Sequence, residues 1–128
     1  MKKVISLILV LTMAIGLAAI PVFASTYATP ERTKTKTFYL DDQIFANQTA
    51  TIDITIVVTG VYSSADGYGI INNATATFSG ALANSFSYQY RPSGDDGIVY
   101  VYLNGTLEGK YTFSISSTGT ITYTLRLY

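Results

Sequence analysis

The stretch that determines the fold is residues 98–127, IVYVYLNGTLEGKYTFSISSTGTITYTLRL. Apolar and polar residues alternate along it, and it is rich in Thr, Tyr and Val, which favours strands over helices. Two turn signals divide it, Asn104-Gly105 and Ser117-Thr118-Gly119. The stretch therefore predicts three antiparallel strands joined by two tight turns.

The first of these turns predicts the pairing of the strands on either side of it. Asn-Gly favours a two-residue type I′ turn, because both central residues need positive φ. Such a turn predicts that Tyr100 and Tyr102 point inward, with Gly109 opposite Tyr100. The opposite face would then carry an exposed apolar stripe made of Val99, Val101 and Leu103.

The second turn predicts which side chains of the last two strands are buried. A three-residue loop that ends in Gly119 suits a type I turn followed by a left-handed residue. We expect the odd-numbered side chains from Leu107 to Leu127 to be buried and the even-numbered ones to meet water. The main members of this predicted apolar face are Phe113, Ile115 and Tyr123.

The N-terminus has the pattern of a signal peptide. A basic segment, Met1-Lys2-Lys3, precedes an apolar run and then Val22-Phe23-Ala24. This order predicts a signal peptide over residues 1–24 that is cleaved after Ala24. The alternative is an uncleaved membrane anchor, but the run is short of a full span and Pro21 ends it. We therefore expect a secreted, extracellular protein with no stable membrane anchor after cleavage.

The remaining chain is long enough for one domain. Residues 25–33 are polar and are predicted to be a flexible leader, and residues 34–128 to be a single domain. Cleavage removes Lys2 and Lys3, so six basic and eight acidic residues remain and the net charge is −2. This balance does not indicate a nucleic-acid partner. An exported chain without disulfides is typical of a bacterial product.

Composition excludes the commonest catalytic groups. The chain has no histidine and no cysteine. It therefore has no Ser-His-Asp or thiol catalysis and no thiolate zinc site. It also has no phosphate-binding glycine motif. We expect no enzymatic activity and no cofactor; a hydrolase that uses carboxylates alone is a further hypothesis, and Asp53 would be its most interesting candidate.

Three other segments add strands to the prediction. Residues 50–61 alternate cleanly, residues 70–79 have small inward side chains, and residues 85–90 have aromatic ones. Turn signals separate the strands, and no helical pattern follows the signal peptide. The chain therefore predicts an all-β, antiparallel two-sheet β-sandwich, immunoglobulin-like, of about seven strands. A small closed β-barrel is the alternative.

Candidate binding residues come from two loops. The chain has eleven tyrosines and no tryptophan, and Tyr62 and Tyr68 flank the loop SSADGYG. Exposed tyrosines in loops make adaptable binding surfaces. A second loop, RPSGDDG, adds Arg91, Asp95 and Asp96 to the candidate set. Neither loop has the ligand spacing of a calcium site, so we expect no metal there.

These features predict a non-enzymatic, secreted β-sandwich module. Its expected ligand is a polysaccharide, a cell-wall component or a protein partner. The alternative is a self-assembling surface, fibre or pore-forming subunit, indicated by the predicted exposed stripe and by long alternating strands. The oligomeric state stays open at this point.

Overall fold

A computed structural model describes residues 31–128. The predicted signal peptide, residues 1–24, lies outside the described residues, as do residues 25–30 of the predicted leader. The first strand begins at Arg32, inside the segment predicted as leader.

The described residues form seven strands and one short 3₁₀ helix. The strands are β1 (Arg32–Gln43), β2 (Ile52–Ser63), β3 (Tyr68–Ser79), β4 (Phe86–Ser93), β5 (Asp96–Leu103), β6 (Thr106–Ile115) and β7 (Ile121–Leu127). The 3₁₀ helix, Ala83–Ser85, connects β3 to β4.

The strands form two antiparallel sheets. One has the order β1-β2-β3 and the other the order β4-β5-β6-β7. The predicted all-β two-sheet sandwich is confirmed, and the sheets of residues 31–128 are not closed into a barrel. Within each sheet, every strand pairs with its neighbours along the chain, so the immunoglobulin likeness is one of architecture and not of Greek-key connections.

The core lies between the sheets, where the alternation of β2 supplies a continuous apolar surface. Its side chains Ile52, Ile54, Ile56 and Val58 are fully buried, which agrees with the alternation of residues 50–61. Strand β3 packs against β4, β5 and β6 of the other sheet, and β2 packs against β6. The small buried side chains Ala74 and Ala76 of β3 let the sheets approach each other there.

The β5–β6 hairpin departs from its predicted register at one residue. Tyr102 pairs with Leu107 next to the turn, but Gly109, predicted to lie opposite Tyr100, pairs with Val101. Glu108 is therefore an extra residue in β6, which is a β-bulge. Because side chains alternate with a period of two, one inserted residue exchanges the inner and outer faces of every position beyond it.

The bulge overturns the prediction for β5. Val99 and Val101 are fully buried and Leu103 is buried, so the stripe predicted to be exposed belongs to the core. Tyr100 and Tyr102, predicted to point inward, occupy the alternate positions on the outer face and are half-buried. The type I′ signal is right about the turn itself, since Asn104 and Gly105 both have positive φ.

The β6–β7 hairpin has the predicted register. Ile115 pairs with Ile121 and Phe113 with Tyr123. In β6 the odd-numbered side chains from Gly109 to Ile115 are buried, as predicted, but the prediction is wrong at the bulge, where Leu107 is only half-buried and Glu108 is fully buried. In β7 only Ile121 is buried, so the prediction is wrong for the rest of that strand: Tyr123, Leu125 and Leu127 are exposed. The reason is position, because β7 is the outermost strand of its sheet.

Candidate functional site

Three chain connections meet at one end of the sandwich: the β2–β3 loop, the β4–β5 turn and the β6–β7 turn. The Ile71 N–H donates to the Asp95 carbonyl over 2.8 Å, which joins the start of β3 to the β4–β5 turn. Gly69 lies directly against the carbonyl groups of Ile115 and Ser116, where β6 ends. The candidate tyrosines and acids therefore occupy the same end of the molecule.

The two candidate tyrosines differ in surroundings. Tyr62 points between the sheets, and its ring lies so close to Gly119 that a Cβ there would come within 2.7 Å of it. The Tyr68 hydroxyl donates to the Glu31 carboxylate, and this hydrogen bond raises the pKa of Tyr68. Tyr62 is thus partly buried against the core, whereas Tyr68 is tied to the start of the first strand.

The other three candidates lie on the β4–β5 hairpin. Arg91 pairs with Ile98, and Asp96 pairs with Ser93. Asp95 is exposed in the turn and contributes its backbone carbonyl to the bond with β3. The structure therefore divides the predicted set, with Tyr62 between the sheets and Arg91, Asp95 and Asp96 on a hairpin of the four-stranded sheet.

A groove opens between β1 and the β6–β7 turn. Its volume is about 390 Å³, and its lining residues are Lys34, Lys36, Thr118, Gly119, Thr120 and Ile121. It lies beside Tyr62, whose ring contacts Gly119. One wall thus comes from the edge strand of the three-stranded sheet and the other from a turn of the four-stranded sheet.

The register of β1 turns both lysines toward the groove. Lys34 pairs with Gly60 and Lys36 with Val58, which are buried inner-face residues of β2. Directly paired residues of antiparallel strands share a face, so the lysines point to the inner side of the sheet. The Lys36 ammonium also lies 4.9 Å from the centre of the Phe38 ring, and this cation–π interaction stabilises the positive charge.

The opposite wall is held rigid by one hydroxyl group. Ser116 Oγ accepts hydrogen bonds from the N–H groups of Thr118 (3.3 Å) and Thr120 (3.1 Å). It also shares a hydrogen bond with the Thr118 hydroxyl, at 2.9 Å. Gly119 has a φ of +91°, which favours glycine at the end of the loop, as predicted. The wall is therefore preorganised, which reduces the entropy lost when a ligand binds.

The groove is basic in a chain whose formal net charge is zero. None of the lining residues carries a negative charge. Arg32, Lys34 and Lys36 are three of the six basic residues after Ala24, and they occupy alternate positions of one strand. Their alternation with Thr puts all three on one face of β1. The groove therefore attracts anions although residues 25–128 together have a net charge of −2.

Sequence reasoning placed Lys34 and Lys36 inside the predicted domain, residues 34–128, but did not assign the two faces of that strand. A usable signal was present in the spacing. Lys34 and Lys36 lie at even-numbered positions, like the inward-facing Phe38 and Leu40 of the same strand. Extending that parity backwards would have turned both lysines inward.

A second cationic and aromatic row crosses the outer face of the four-stranded sheet. Gln89, Tyr100, Lys110 and Arg126 are consecutive partners across β4, β5, β6 and β7. The Tyr102 hydroxyl donates to Gln89 Oε1 over 3.4 Å on the same face. Within residues 31–128, no strand lies over this face, so it offers fewer convergent groups than the groove.

Glu108, the bulged residue, is buried at the opposite end. Asn47 Nδ2 donates to Glu108 Oε2 over 2.7 Å, and the Asn47 N–H donates to Oε1 over 3.4 Å. The Phe45 ring lies against Gly109, next to the bulge. The bulge therefore fastens the β1–β2 connection to β6 and has a structural role.

The strand carboxylate that sequence analysis singled out, Asp53, also has a backbone partner. Its Oδ1 accepts from the Asp42 N–H over 2.9 Å, where Asp42 has a φ of +55°. Among residues 31–128, no three acidic side chains are grouped closely enough to hold a metal ion. Asp53 thus stabilises an irregular point near the end of β1.

Comparison with known proteins gives no relative: no protein family, curated protein or solved structure matches the chain. In the described part of the chain, no helix has the length and apolar character needed to cross a membrane.

Proposed function

We propose that this protein is a secreted, non-enzymatic binding module that holds an acidic polysaccharide in the groove between β1 and the β6–β7 turn. The observation that carries the proposal is the convergence of Lys34 and Lys36 with a rigid Thr-Gly-Thr wall. Cations from one sheet and hydroxyl groups from the other surround the same space.

The dimensions and chemistry of the groove favour one sugar unit. Its volume of about 390 Å³ lies in the lower part of the range of small-molecule sites. Ammonium groups bind carboxylate or phosphate as point charges, and Thr118 and Thr120 carry hydroxyl groups that match sugar hydroxyls. A uronic acid or a phosphate-bearing wall polymer has both kinds of group.

Export and the lack of catalysis are further parts of the proposal. The signal peptide pattern supports export, and the absence of His and Cys from the sequence supports a binding role. Intact-mass measurement of the protein recovered from the culture medium tests export. We expect a chain that begins at Ser25; a chain that keeps Met1 and stays with the membrane would contradict it.

Affinity electrophoresis through gels that contain polygalacturonate, purified cell walls or neutral dextran tests the ligand class. We expect retardation by an acidic polymer and none by dextran. The double substitution Lys34→Gln/Lys36→Gln should weaken binding about tenfold or more, which corresponds to about 1.4 kcal/mol. Raising the salt concentration should weaken binding of the unmodified protein, because exposed charges are screened.

The matched control is Lys110→Gln/Arg126→Gln. It removes the same number of positive charges from the outer face of the four-stranded sheet. If binding depends on the groove, this variant keeps most of its affinity. Equal loss in both double variants would show attraction by overall charge, and unchanged binding after substitution of the two groove lysines would refute the proposal.

A further inference from the structure

The outer edge of β7 is apolar and open. Tyr123, Leu125 and Leu127 are 38%, 41% and 54% exposed although they lie on the inner face of their sheet. No strand within residues 31–128 pairs with this edge. An edge strand with free backbone groups and exposed apolar side chains is a template for another strand.

The same residues turn their backbone groups outward. At the two ends of the β6–β7 ladder, the Ser116 N–H donates to the Thr120 carbonyl (2.9 Å) and the Tyr128 N–H donates to the Glu108 carbonyl (3.0 Å). Hydrogen-bonded and non-bonded positions alternate in an antiparallel ladder. The even-numbered residues of β7 therefore bond to β6, and the N–H and C=O groups of the odd-numbered residues point to the open edge.

The other three edge strands have features that block pairing. On β1, Lys34 and Lys36 point inward, which disfavours addition of a strand. On β3, a bulge interrupts the register next to Gly60, and the Ile71 N–H is already bonded to Asp95. On β4, Pro92 lacks an N–H group. Pairing of β7 with any of these edges is therefore disfavoured.

We propose that the partner of β7 is the β7 strand of a second copy, so that the protein is a two-fold symmetric dimer with a continuous eight-stranded sheet. Pairing of identical edges closes the assembly as a dimer, whereas pairing of unlike edges produces larger rings or open filaments. This inference is independent of the ligand proposed above, because it rests on the edge of β7 alone.

The sequence of β7 fits one symmetric register best. A two-fold axis at Thr124 pairs Tyr123 with Leu125 of the second copy and Ile121 with Leu127 of the second copy. The residues with outward backbone groups then face each other along the whole strand and exchange their hydrogen bonds. The only charged residue of β7, Arg126, lies opposite Thr122 of the second copy, so no like charges meet.

This register also brings the second copy to the groove. Continued by one residue, it places Tyr128 of the second copy opposite Thr120, which lines the groove. The dimer would therefore bring the Tyr128 ring of the second copy to the border of each groove.

Cysteine cross-linking tests the register, because the chain has no native cysteine. The protein is expressed as the full chain and recovered after export. In this register, residue 124 faces residue 124 of the second copy at a non-hydrogen-bonded position. Cα atoms lie about 4.5 Å apart there, so Thr124→Cys can form a disulfide between the copies. We expect its disulfide-linked dimer to form about tenfold faster, or more, than that of Thr77→Cys. Thr77 is also an exposed threonine, on β3, an edge strand of the other sheet.

A second control and a second measurement make the test decisive. Residue 122 faces Arg126 of the second copy. It lies about 14 Å along the strand from residue 122 of that copy, so Thr122→Cys should not cross-link. Sedimentation equilibrium should give twice the chain mass. Thr124→Lys should weaken association about tenfold, because the two introduced lysines face each other across the interface, whereas Thr77→Lys should leave association unchanged.

Four results would overturn the inference. They are a monomer at every concentration, equal cross-linking of the Thr122 and Thr124 variants, growth beyond a dimer, and dimers that form only after deletion of residues 25–30. The last result would show that this chain's own leader occupies the edge.

Discussion

Strands β6 and β7 are neighbours in one hairpin with the same alternation of apolar and polar residues, but they differ in burial. Phe113 of β6 is fully buried, whereas its direct partner on β7, Tyr123, is 38% exposed. Both rings contact Phe38 of β1, at 5.4 Å and 5.2 Å between centres. Alternation thus identifies the apolar face of a strand, while the position of the strand in the sheet determines how far that face is covered.

The largest expected difference between the two strands is in the cost of truncation. Phe113→Ala should lower the free energy of unfolding by about 3–5 kcal/mol, because it leaves a cavity in the core. Tyr123→Ala should cost about 1 kcal/mol, because part of its ring already meets water. Urea denaturation of both variants measures this, at a concentration low enough to keep the protein monomeric. Equal losses would mean that β7 is covered as fully as β6.

The bulge in β6 gives the next largest effect. Glu108→Ala should cost about 1–3 kcal/mol, because both donors of Asn47 lose their buried acceptor. Glu108→Gln should cost less, because its amide oxygen can still accept from Asn47. Urea denaturation with hydrogen exchange of residues 44–51 would test this. If the Ala variant keeps full stability and full protection, the bulge does not fasten that connection.

The smallest expected effect on stability comes from the tyrosine hydroxyl groups, Tyr111 on β6 compared with Tyr123 on β7. Burial raises the pKa of Tyr111, whose hydroxyl donates to Gln43 Oε1 over 3.0 Å. The folded state therefore holds this proton more tightly than the unfolded chain, whose tyrosine pKa is about 10. The stabilisation is fully present below pH 10 and is lost as the pH rises above it.

Tyr111→Phe should cost about 1 kcal/mol at neutral pH, through the lost hydrogen bond. The difference from the native chain should narrow above pH 10, since the variant has no proton to lose there. Denaturation at pH 7, 9 and 11 measures it, with Tyr123→Phe as a control that keeps the alkaline loss. A difference that stays constant with pH would contradict burial of the hydroxyl.

Much of the fold could be predicted from local patterns. The inward residues of β2, the two tight turns and the β6–β7 register all follow from alternation and turn chemistry. The Glu108 bulge could not be predicted, because its stabilisation comes from Asn47, which is distant in sequence. That one residue moved Tyr100 and Tyr102 to the outer face and the valines of β5 into the core.

The candidate site was harder to predict than the fold. The sequence singled out Tyr62, and the structure places Tyr62 beside the groove, but the groove needs a second wall. Lys34 and the β6–β7 turn belong to different sheets. Strand pairing within a sheet does not predict which edge of one sheet lies next to which turn of the other.

By itself, the sequence determined that the chain is all-β, which faces of most strands are apolar, and that histidine and thiol chemistry are absent. These properties follow from local backbone preferences and composition. Only the tertiary structure determined where the faces change, which strand is left at an open edge, and where the lysines of β1 meet a turn. Those features arise from contacts between segments far apart in the chain, and no local pattern contains them.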